Sequence, residues 1–299
     1  MGISSTAKET LQAHHLAPSK KFGQNFLVNE NTARRIAHAG DIEKDDTIIE
    51  VGVGLGALTV PLAERAQRVI GVEVDSGIIR YHEEQRDLPD NVTLLHQDIL
   101  KMDFQELFQQ VGSRLKFMAN LPYSISNPFL FKLIDNRHLL QSATIMLQKE
   151  VADRLTAKPG SKQYGIPTVL LRSCASVEKL ITLRPGEFHP RPKVDSVVVK
   201  IIFSPTPAHI LTLPDYPYTI LQTLVRAAFG QRRKTLANTL SSCGLFTPFF
   251  SEKRMIREKT RQTILESGIK PEIRGEMLDL VQFISLARSF DTTIQTLQN

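Results

Sequence analysis

The stretch Thr47-Ile48-Ile49-Glu50-Val51-Gly52-Val53-Gly54-Leu55-Gly56 decides the fold of this 299-residue chain. Its first half is an apolar run, which predicts a buried strand. The three glycines that follow let the backbone turn tightly and approach a ligand closely. A helix is predicted next, over residues 57–65. This order of strand, glycine turn and helix is typical of α/β folds that bind adenosine-containing cofactors.

Short apolar runs alternate with amphipathic stretches from residue 47 to about residue 145. Strands are predicted over residues 47–51, 68–74, 92–96, 115–119 and 143–147. The alternation indicates a parallel sheet wound by helices. Further strands over residues 168–176, 178–183 and 196–203 would complete the sheet in antiparallel fashion. A helix over residues 31–38 is expected to begin after Asn29 and to stop at Gly40.

The sequence becomes rich in proline after residue 203, where Ser204-Pro205-Thr206-Pro207 is followed by Pro214 and Pro217. This cluster of prolines predicts a domain boundary near residues 205–215. Helices are predicted beyond it over residues 220–229, 232–240, 259–266 and 275–287. We therefore expect an α/β domain over residues 1–205 and a small all-helical domain over residues 206–299.

Composition excludes several classes of protein. Two cysteines without CxxC spacing support neither a disulfide framework nor a zinc site, so no metal is expected. No apolar stretch approaches 18 residues, so we expect no membrane span and a cytoplasmic location. The 37 Lys and Arg against 31 Asp and Glu give a net charge of +6, which is compatible with a polyanionic partner. The run Arg232-Arg233-Lys234 is the predicted phosphate-facing cluster.

Acidic residues define the cofactor that the glycine loop would take. With Ala57 the loop also fits the dinucleotide pattern, so the loop alone leaves NAD open. Glu73 ends the next strand, where a carboxylate can accept hydrogen bonds from ribose hydroxyls, and Asp98 can accept from an adenine amino group. The three acids Glu50, Glu73 and Asp98 favour a cationic ligand. The glycine loop contains no basic residue that could neutralise a phosphate, so a ligand without phosphate is favoured. S-adenosylmethionine has these properties.

The fourth predicted strand ends in Asn120-Leu121-Pro122-Tyr123. The Asn120 side-chain oxygen and the carbonyl before Pro122 form a rigid pair of acceptors, because the proline ring restricts φ. Such a pair grips a planar amino group and directs the nitrogen lone pair at an electrophile. Tyr123 supplies a ring on which a base can stack.

Five sequence blocks carry a resemblance to a known family. They are KFGQNFL (21–27), EVGVGLG (50–56), NLPYSIS (120–126), QKEV (148–151) with Arg154-Leu155, and FHPRPKVDS (188–196); FGQRRKTL (229–236) extends them. The ensemble resembles the small-subunit ribosomal RNA adenine N6,N6-dimethyltransferases, which are relatives of the erythromycin-resistance methyltransferases. The resemblance implies a class I, Rossmann-like methyltransferase domain with a mostly parallel seven-stranded sheet, joined to a helical RNA-docking domain.

The same resemblance implies an activity. The family transfers methyl groups from S-adenosylmethionine to N6 of two adjacent adenosines in a hairpin loop near the 3′ end of small-subunit (16S) rRNA. We expect the enzyme to act on an assembling 30S particle as a monomer.

The resemblance also assigns site residues by position. Those expected at the cofactor are Asn25 and Leu27 as its cover, Gly52 and Gly54 at the methionine part, Glu73 at the ribose, Asp98 at the adenine, and Asn120. Those expected at the reacting amine are Asn120, Leu121, Pro122, Tyr123 and Phe188. Tyr123 and Phe188 would sandwich the extruded base.

Three rival hypotheses remain. DNA adenine or protein glutamine methyltransferases more often show Asp/Asn-Pro-Pro-Tyr/Phe and lack the block at residues 188–196. A large-subunit resistance methyltransferase shares the catalytic domain, but the basic second domain favours the small-subunit group. A non-catalytic assembly or transcription factor would keep the fold; intact Asn120 and Tyr123 argue against it.

Overall fold

The computed structural model describes residues 7–14, 24–204 and 215–299. The strands are β1 Phe26–Leu27, β2 Thr47–Val51, β3 Arg68–Glu73, β4 Val92–His96, β5 Leu115–Asn120, β6 Leu140–Gln148, β7 Ala175–Leu183, β8 Phe188–His189 and β9 Ser196–Phe203. The helices are α1 Ala7–Ala13, α2 Glu30–Ala39, α3 Thr59–Ala63, α4 Ser76–Gln85, α5 Phe104–Val111, α6 Ser126–Asp135, α7 Lys149–Leu155, α8 Ile166–Arg172, α9 Tyr218–Gly230, α10 Leu236–Leu240, α11 Lys253–Glu266 and α12 Leu280–Gln298. None of the helices in these ranges is long and apolar enough to cross a membrane.

By its internal contacts the chain divides into two units. The first comprises the described parts of Met1–Ala152 and Ser176–Pro205, and the second comprises Asp153–Ala175 with the described parts of Thr206–Asn299. The division differs from the expected one because Asp153–Ala175 groups with the helical unit. The proline-rich stretch that predicted a boundary near residues 205–215 lies largely outside the described residues.

The first unit is built on a seven-stranded sheet with the order β4-β3-β2-β5-β6-β9-β7. The pairs from β4 to β6 are parallel, and β6 pairs with β9 antiparallel. This arrangement confirms the predicted mostly parallel sheet. Strand order reverses between β2 and β5, and open α/β sheets bind ligands at such a switch point, outside the carboxyl ends of the strands.

Local sequence rules explain how α2 starts. The Asn29 side chain caps it by accepting a hydrogen bond from the Thr32 N–H at 3.3 Å. The opposite end stops at Gly40, as predicted. The buried face of α2 includes Ala33 and Ile36, which join the hydrophobic cluster that covers β2 and β3.

The strand predicted over residues 168–176 is wrong in its first part, because residues 166–172 form the helix α8. Pro167 occupies the first turn, where its missing N–H is tolerated, and the Gly165 N–H donates to Thr168 Oγ1 at 3.3 Å. Every residue from Pro167 to Leu171 is buried. A helix buried on all sides lacks the 3.6-residue polar period, so its sequence cannot be told from a buried strand.

The helical unit has an aromatic core. Tyr164 lies edge-on to Phe229 with ring centroids 5.6 Å apart, and Phe229 stacks on Phe283 at 6.1 Å. The Tyr164 hydroxyl donates to the Leu278 carbonyl at 2.8 Å, so the buried polar group is satisfied. These contacts join residues 153–175 to α9 and α12.

Arg232 belongs to this scaffold, which changes the interpretation of the basic run. Its Nε donates to Glu276 at 2.7 Å, and its Nη1 donates to the Lys162 carbonyl at 2.9 Å. The predicted helix over residues 232–240 is confirmed only from Leu236 onward, since residues 232–235 lie in a turn and bend before it. Arg233 and Lys234 are exposed, so only this part of the run is open to a phosphate.

We expect Gly275→Ala to lower the free energy of unfolding by about 1–3 kcal/mol. A Cβ at Gly275 would lie 2.6 Å from the Ala228 Cβ and 2.9 Å from its carbonyl oxygen, and backbone cannot move aside cheaply. Urea unfolding measures the change. Gly230→Ala is the matched control in the same unit, because a Cβ there meets nothing within 4 Å. Equal stability of the two variants would contradict the prediction.

Candidate active site at the carboxyl edge of the sheet

A cavity of about 200 Å³ lies in the first unit, at the carboxyl ends of β2, β3, β4 and β5. The predicted residues that line it are Asn25, Gly52, Gly54, Glu73, Asp98, Asn120 and Pro122. Among the described residues that line it, none is Lys, Arg or His. A dinucleotide would bring two phosphates to this surface, so the lining favours a phosphate-free cationic ligand.

The glycine loop has the conformation that its sequence predicts. Gly52, Gly54 and Gly56 have φ values of +80°, +54° and +78°, which only glycine adopts readily. The Gly52 N–H donates to the Val72 carbonyl at 2.9 Å. The loop is therefore fastened to the end of β3 beside the cavity.

Glu73 is buried at the end of β3 and organises the backbone around it. Its Oε2 accepts from the Gly54 N–H at 3.1 Å, and its Oε1 accepts from the N–H groups of Val74 at 2.9 Å and Asp75 at 3.0 Å. A carboxylate has about four acceptor positions, so one remains for a ligand hydroxyl. This geometry suits the predicted ribose contact.

Asp98 follows β4 on the same edge of the sheet. Its Oδ1 accepts from the Leu100 N–H at 2.9 Å, which leaves Oδ2 to accept from a ligand amino group. Lys132 donates to the Leu100 carbonyl at 3.0 Å from the adjacent α6. The turn that carries Asp98 is therefore fixed from two sides.

Asn120 has its amide oriented by the segment before β1. Its Nδ2 donates to the Asn25 main-chain carbonyl at 3.2 Å, so Oδ1 is the atom left to accept a hydrogen bond. Within the part of the chain that the structure describes, nothing donates to the Leu121 carbonyl. The two acceptors that the sequence predicts are both present and available.

Tyr123 begins the 3₁₀ turn Tyr123–Ile125 and is partly exposed. Its hydroxyl lies 2.8 Å from the hydroxyl of Ser196, which is fully buried at the start of β9. Burial raises the pKa of Tyr123. The phenol thus stays neutral, and its ring is tethered to the sheet.

Four predicted site residues do not line the cavity: Leu27, Leu121, Tyr123 and Phe188. Leu27 and Phe188 are paired across the antiparallel strands β1 and β8, and both belong to the hydrophobic cluster of the first unit. Phe188 is only 3% exposed. Phe188 is therefore buried, whereas Tyr123 is partly exposed and follows directly after Pro122, which lines the cavity.

Glu50 also differs from its expected place. It is 0% exposed, it does not line the cavity, and neither carboxyl oxygen has a hydrogen-bond partner among the described residues. A strand side chain points perpendicular to the sheet, and the side chain of Glu50 is enclosed by protein and does not face the cavity. Burial raises its pKa from 4.5 to about 8, with a further contribution from the nearby Glu73. The acids that line the cavity are Glu73 and Asp98.

Comparison with known proteins identifies the family. The sequence profile described as ribosomal RNA adenine dimethylase matches residues 17–278. The chain belongs to this family. It is 53% identical over 281 residues to the ribosomal RNA small subunit methyltransferase A of Desulfotalea psychrophila, with 94% of each chain covered.

Solved structures confirm the class I methyltransferase fold of this dimethylase family member. The crystal structure of a dimethyladenosine transferase from Plasmodium falciparum superposes with a TM-score of 0.70 at 28% identity, covering 89% of this chain and 98% of that one. The 23S rRNA methyltransferase ErmE superposes with a TM-score of 0.63 at 21% identity, covering 89% and 100%. The ErmE match shows the fold alone.

Sequence reasoning missed residues that shape the dimethylase site. Gln24 and Phe26 line the cavity, and both belong to the sequence block at residues 21–27. A role for the apolar residues of this block could have been inferred. Ser196 ends another identified block. His82 on α4 contacts the glycine loop, with its Nε2 2.8 Å from the Gly54 carbonyl oxygen. It carries no sequence signal, because a single His in a helix is most often an ordinary surface or core residue.

We expect Glu50→Gln to change the pH dependence of stability. A carboxyl whose pKa is raised in the folded state stabilises it below about pH 4.5, and this contribution is lost as pH rises towards 8. Each pH unit in that window corresponds to about 1.4 kcal/mol. The free energy of unfolding is measured without ligand, by urea unfolding at pH 5 and pH 8. It should fall over this range in the wild type and should not show this fall in Glu50→Gln. Exposed Glu84→Gln should keep it, and an unchanged slope in Glu50→Gln would refute the assignment.

Proposed function

We propose that this chain transfers methyl groups from S-adenosylmethionine to N6 of two adjacent adenosines in a hairpin loop near the 3′ end of small-subunit (16S) rRNA. The product is N6,N6-dimethyladenosine, formed in the cytoplasm on an assembling small subunit. The observation that carries the proposal is the pair of available acceptors at Asn120 and Leu121 beside a cavity lined by Glu73 and Asp98. The 53% identical relative named for the small subunit supports this substrate over large-subunit RNA.

The site residues would hold S-adenosylmethionine and the target adenosine so that the amine nitrogen points at the methyl group. Glu73 would bind ribose hydroxyls, and Asp98 would bind an adenine amino group, through the acceptor positions left on their carboxylates. When bound, S-adenosylmethionine supplies an electrophilic methyl group on a sulfonium. Asn120 Oδ1 and the Leu121 carbonyl would accept both hydrogens of the target amine, which favours a pyramidal nitrogen. Tyr123 would stack on the extruded base.

The displacement needs no general base. With the cofactor bound, Asn120 and Leu121 would hold the N6 lone pair in line with the methyl group that the cofactor supplies. The new N–C bond would replace the C–S bond, whose electron pair would remain on the sulfur of the neutral thioether. The product ammonium then loses its proton to water. Acceleration comes from placement and from fixed dipoles that need no reorganisation. A second transfer requires the site to accept N6-methyladenosine, which still has one hydrogen for an acceptor.

A parallel labelling experiment tests the proposal. Purified protein and labelled S-adenosylmethionine are incubated with unmethylated small subunits, unmethylated large subunits or duplex DNA. Label in dimethyladenosine of small-subunit RNA alone is expected. Label only in large-subunit RNA would indicate a resistance-type enzyme, and label only in DNA would overturn the RNA assignment. Binding of small subunits without any transfer would indicate a non-catalytic assembly factor.

We further propose that the helical unit docks on RNA. Arg233, Lys234, Lys253 and Arg257 are exposed and have no ion-pair partner among the described residues. By contrast, Arg254 pairs with Glu258, and Arg261 pairs with Glu272. The unpaired cations are the ones that can neutralise phosphates, which would release counterions and make binding depend on salt.

Two neighbouring arginines should behave differently. We expect Arg232→Ala to destabilise the protein by about 1–2 kcal/mol, because it leaves Glu276 and the Lys162 carbonyl without their donor. Arg233→Ala should leave stability within about 0.5 kcal/mol. It should instead weaken small-subunit binding and reduce the slope of log K against log salt by about 0.7–0.9. Thermal unfolding and salt-titrated binding measure both; the reverse pattern would contradict the assignment.

A further inference from the structure

The loop at residues 190–195, here called the rim loop, joins two parts of the candidate site. The residue before it, His189, pairs with Phe26, which lines the cavity. The residue after it is Ser196, whose hydroxyl lies 2.8 Å from the Tyr123 hydroxyl. The rim loop therefore runs from the wall of the cofactor cavity to the ring on which the target base would stack.

The rim loop is fixed at both ends. Before it, β8 pairs with β1. At its other end, the Asp195 carbonyl accepts a hydrogen bond from the Lys149 N–H at 2.9 Å. Pro190 and Pro192 restrict φ within the loop. Because the loop is restrained before any partner arrives, it loses little conformational freedom when it binds one.

Two cations on the rim loop have no acid to neutralise them. Arg191 and Lys193 are exposed, and neither has a hydrogen-bond or ion-pair partner among the described residues. Asp195 is the single acid of the loop. Glu187, two residues before the loop, already accepts a hydrogen bond from Thr32 Oγ1 at 2.9 Å. The proposed cofactor is itself cationic, so the positive charge of the rim loop suits a different, anionic ligand.

The rim loop also exposes an apolar side chain. Val194 is 45% exposed, directly after Lys193. Proteins that bind nucleic acid combine cations on the phosphates with apolar side chains inserted between neighbouring bases. A small anion would use the cations alone, so the combination favours a nucleic-acid strand.

We propose that the rim loop binds the RNA strand at the target adenosines. Arg191 and Lys193 neutralise the phosphates that flank the reacting nucleotide, and Val194 packs against a neighbouring base. Lys193 is three residues from Ser196, and three extended residues span at most about 11 Å, so its side chain reaches the strand that carries a base stacked on Tyr123. The methyltransferase unit thus positions the reacting nucleotide through contacts of its own. The inference rests on the proposed function for the identity of the RNA.

Salt-titrated binding of unmethylated small subunits tests the charge contacts. Arg191→Gln and Lys193→Gln should each reduce the slope of log K against log salt by about 0.7, the value for one phosphate of a single strand. Each should weaken binding about fivefold at 0.1 M salt, and the double variant should reduce the slope by about 1.4. Lys193→Arg keeps the charge and should keep the wild-type slope. The matched control is Lys44→Gln, at an exposed position before the amino end of β2, which should also keep it.

Val194→Ser tests the apolar contact. It should weaken binding of small subunits a few-fold and leave the salt slope unchanged, because no charge is removed. The dissociation constant for S-adenosylmethionine should match the wild-type value in every rim-loop variant, which also shows that each variant is folded. Wild-type affinity of Val194→Ser for small subunits would remove Val194 from the interface.

Directed hydroxyl-radical cleavage tests where the rim loop lies on the RNA. An iron chelate attached at Lys193→Cys should cut the strand at the target adenosines, whereas one attached at Lys44→Cys should not. Cys174 is buried, and Cys243 gives the same background cleavage in both variants. Cleavage confined to RNA away from these adenosines, or an unchanged salt slope in the double variant, would overturn the inference. Failure of the wild type to bind and methylate small subunits would instead count against the proposed function.

Discussion

Asn120→Ala is expected to lower kcat for methyl transfer by about 10²- to 10³-fold, the effect of removing one preorganised polar group from a transition state. The Asn120 amide is already oriented, since its Nδ2 donates to the Asn25 carbonyl and leaves Oδ1 for the target amine. The variant loses this acceptor, so the amine nitrogen stays planar and its lone pair stays in the ring. Single-turnover transfer to unmethylated small subunits measures the change.

The variant's binding properties separate chemistry from cofactor capture. Asn120→Ala also releases one contact with Asn25, so the dissociation constant for S-adenosylmethionine should rise by only about tenfold or less. Asn31→Ala, at an exposed position on α2, is the matched control and should leave both quantities unchanged. If Asn120→Ala kept full activity, the acceptor role would be wrong.

Much of the sheet could be predicted because its strands are short, continuous apolar runs between turn residues. The bounds of Thr47–Val51 and Ser196–Phe203 agree with the prediction. The same rule failed at Ile166–Arg172, where an equally apolar run forms a buried helix. The choice there depends on Gly165 and Thr168 forming the helix start, and on long-range packing that no local pattern contains.

The cavity residues that follow the end of a strand could be predicted from the sequence. Residues whose role depends on distant contact partners could not. Gly52, Glu73, Asp98 and Asn120 each stand at or just after the end of a parallel strand, so topology alone brings them together. The role of Arg232 depends on its distant partner Glu276, which sequence spacing does not reveal. The same holds for the buried position of Phe188, which its pairing with Leu27 determines.

Tyr123→Ala is expected to lower kcat/KM by about 5- to 150-fold, corresponding to about 1–3 kcal/mol for one base stacked on an aromatic ring. The ring is partly exposed and follows directly after Pro122, which lines the cavity. Affinity for S-adenosylmethionine should stay near the wild-type value, because Tyr123 does not line the cavity. Kinetics with small subunits and calorimetry with the cofactor measure the two effects separately.

The Tyr123 hydroxyl has a smaller, separable role. Tyr123→Phe keeps the ring but removes the bond to Ser196, and Ser196→Ala removes the other partner. Each should lower kcat/KM only a few-fold, in line with about 0.5–1.5 kcal/mol for one hydrogen bond. Because both changes delete the same bond, the double variant should be no slower than either single variant. Additive losses would mean that the hydroxyl acts on a group other than Ser196, and the tether would then not be what orients the ring.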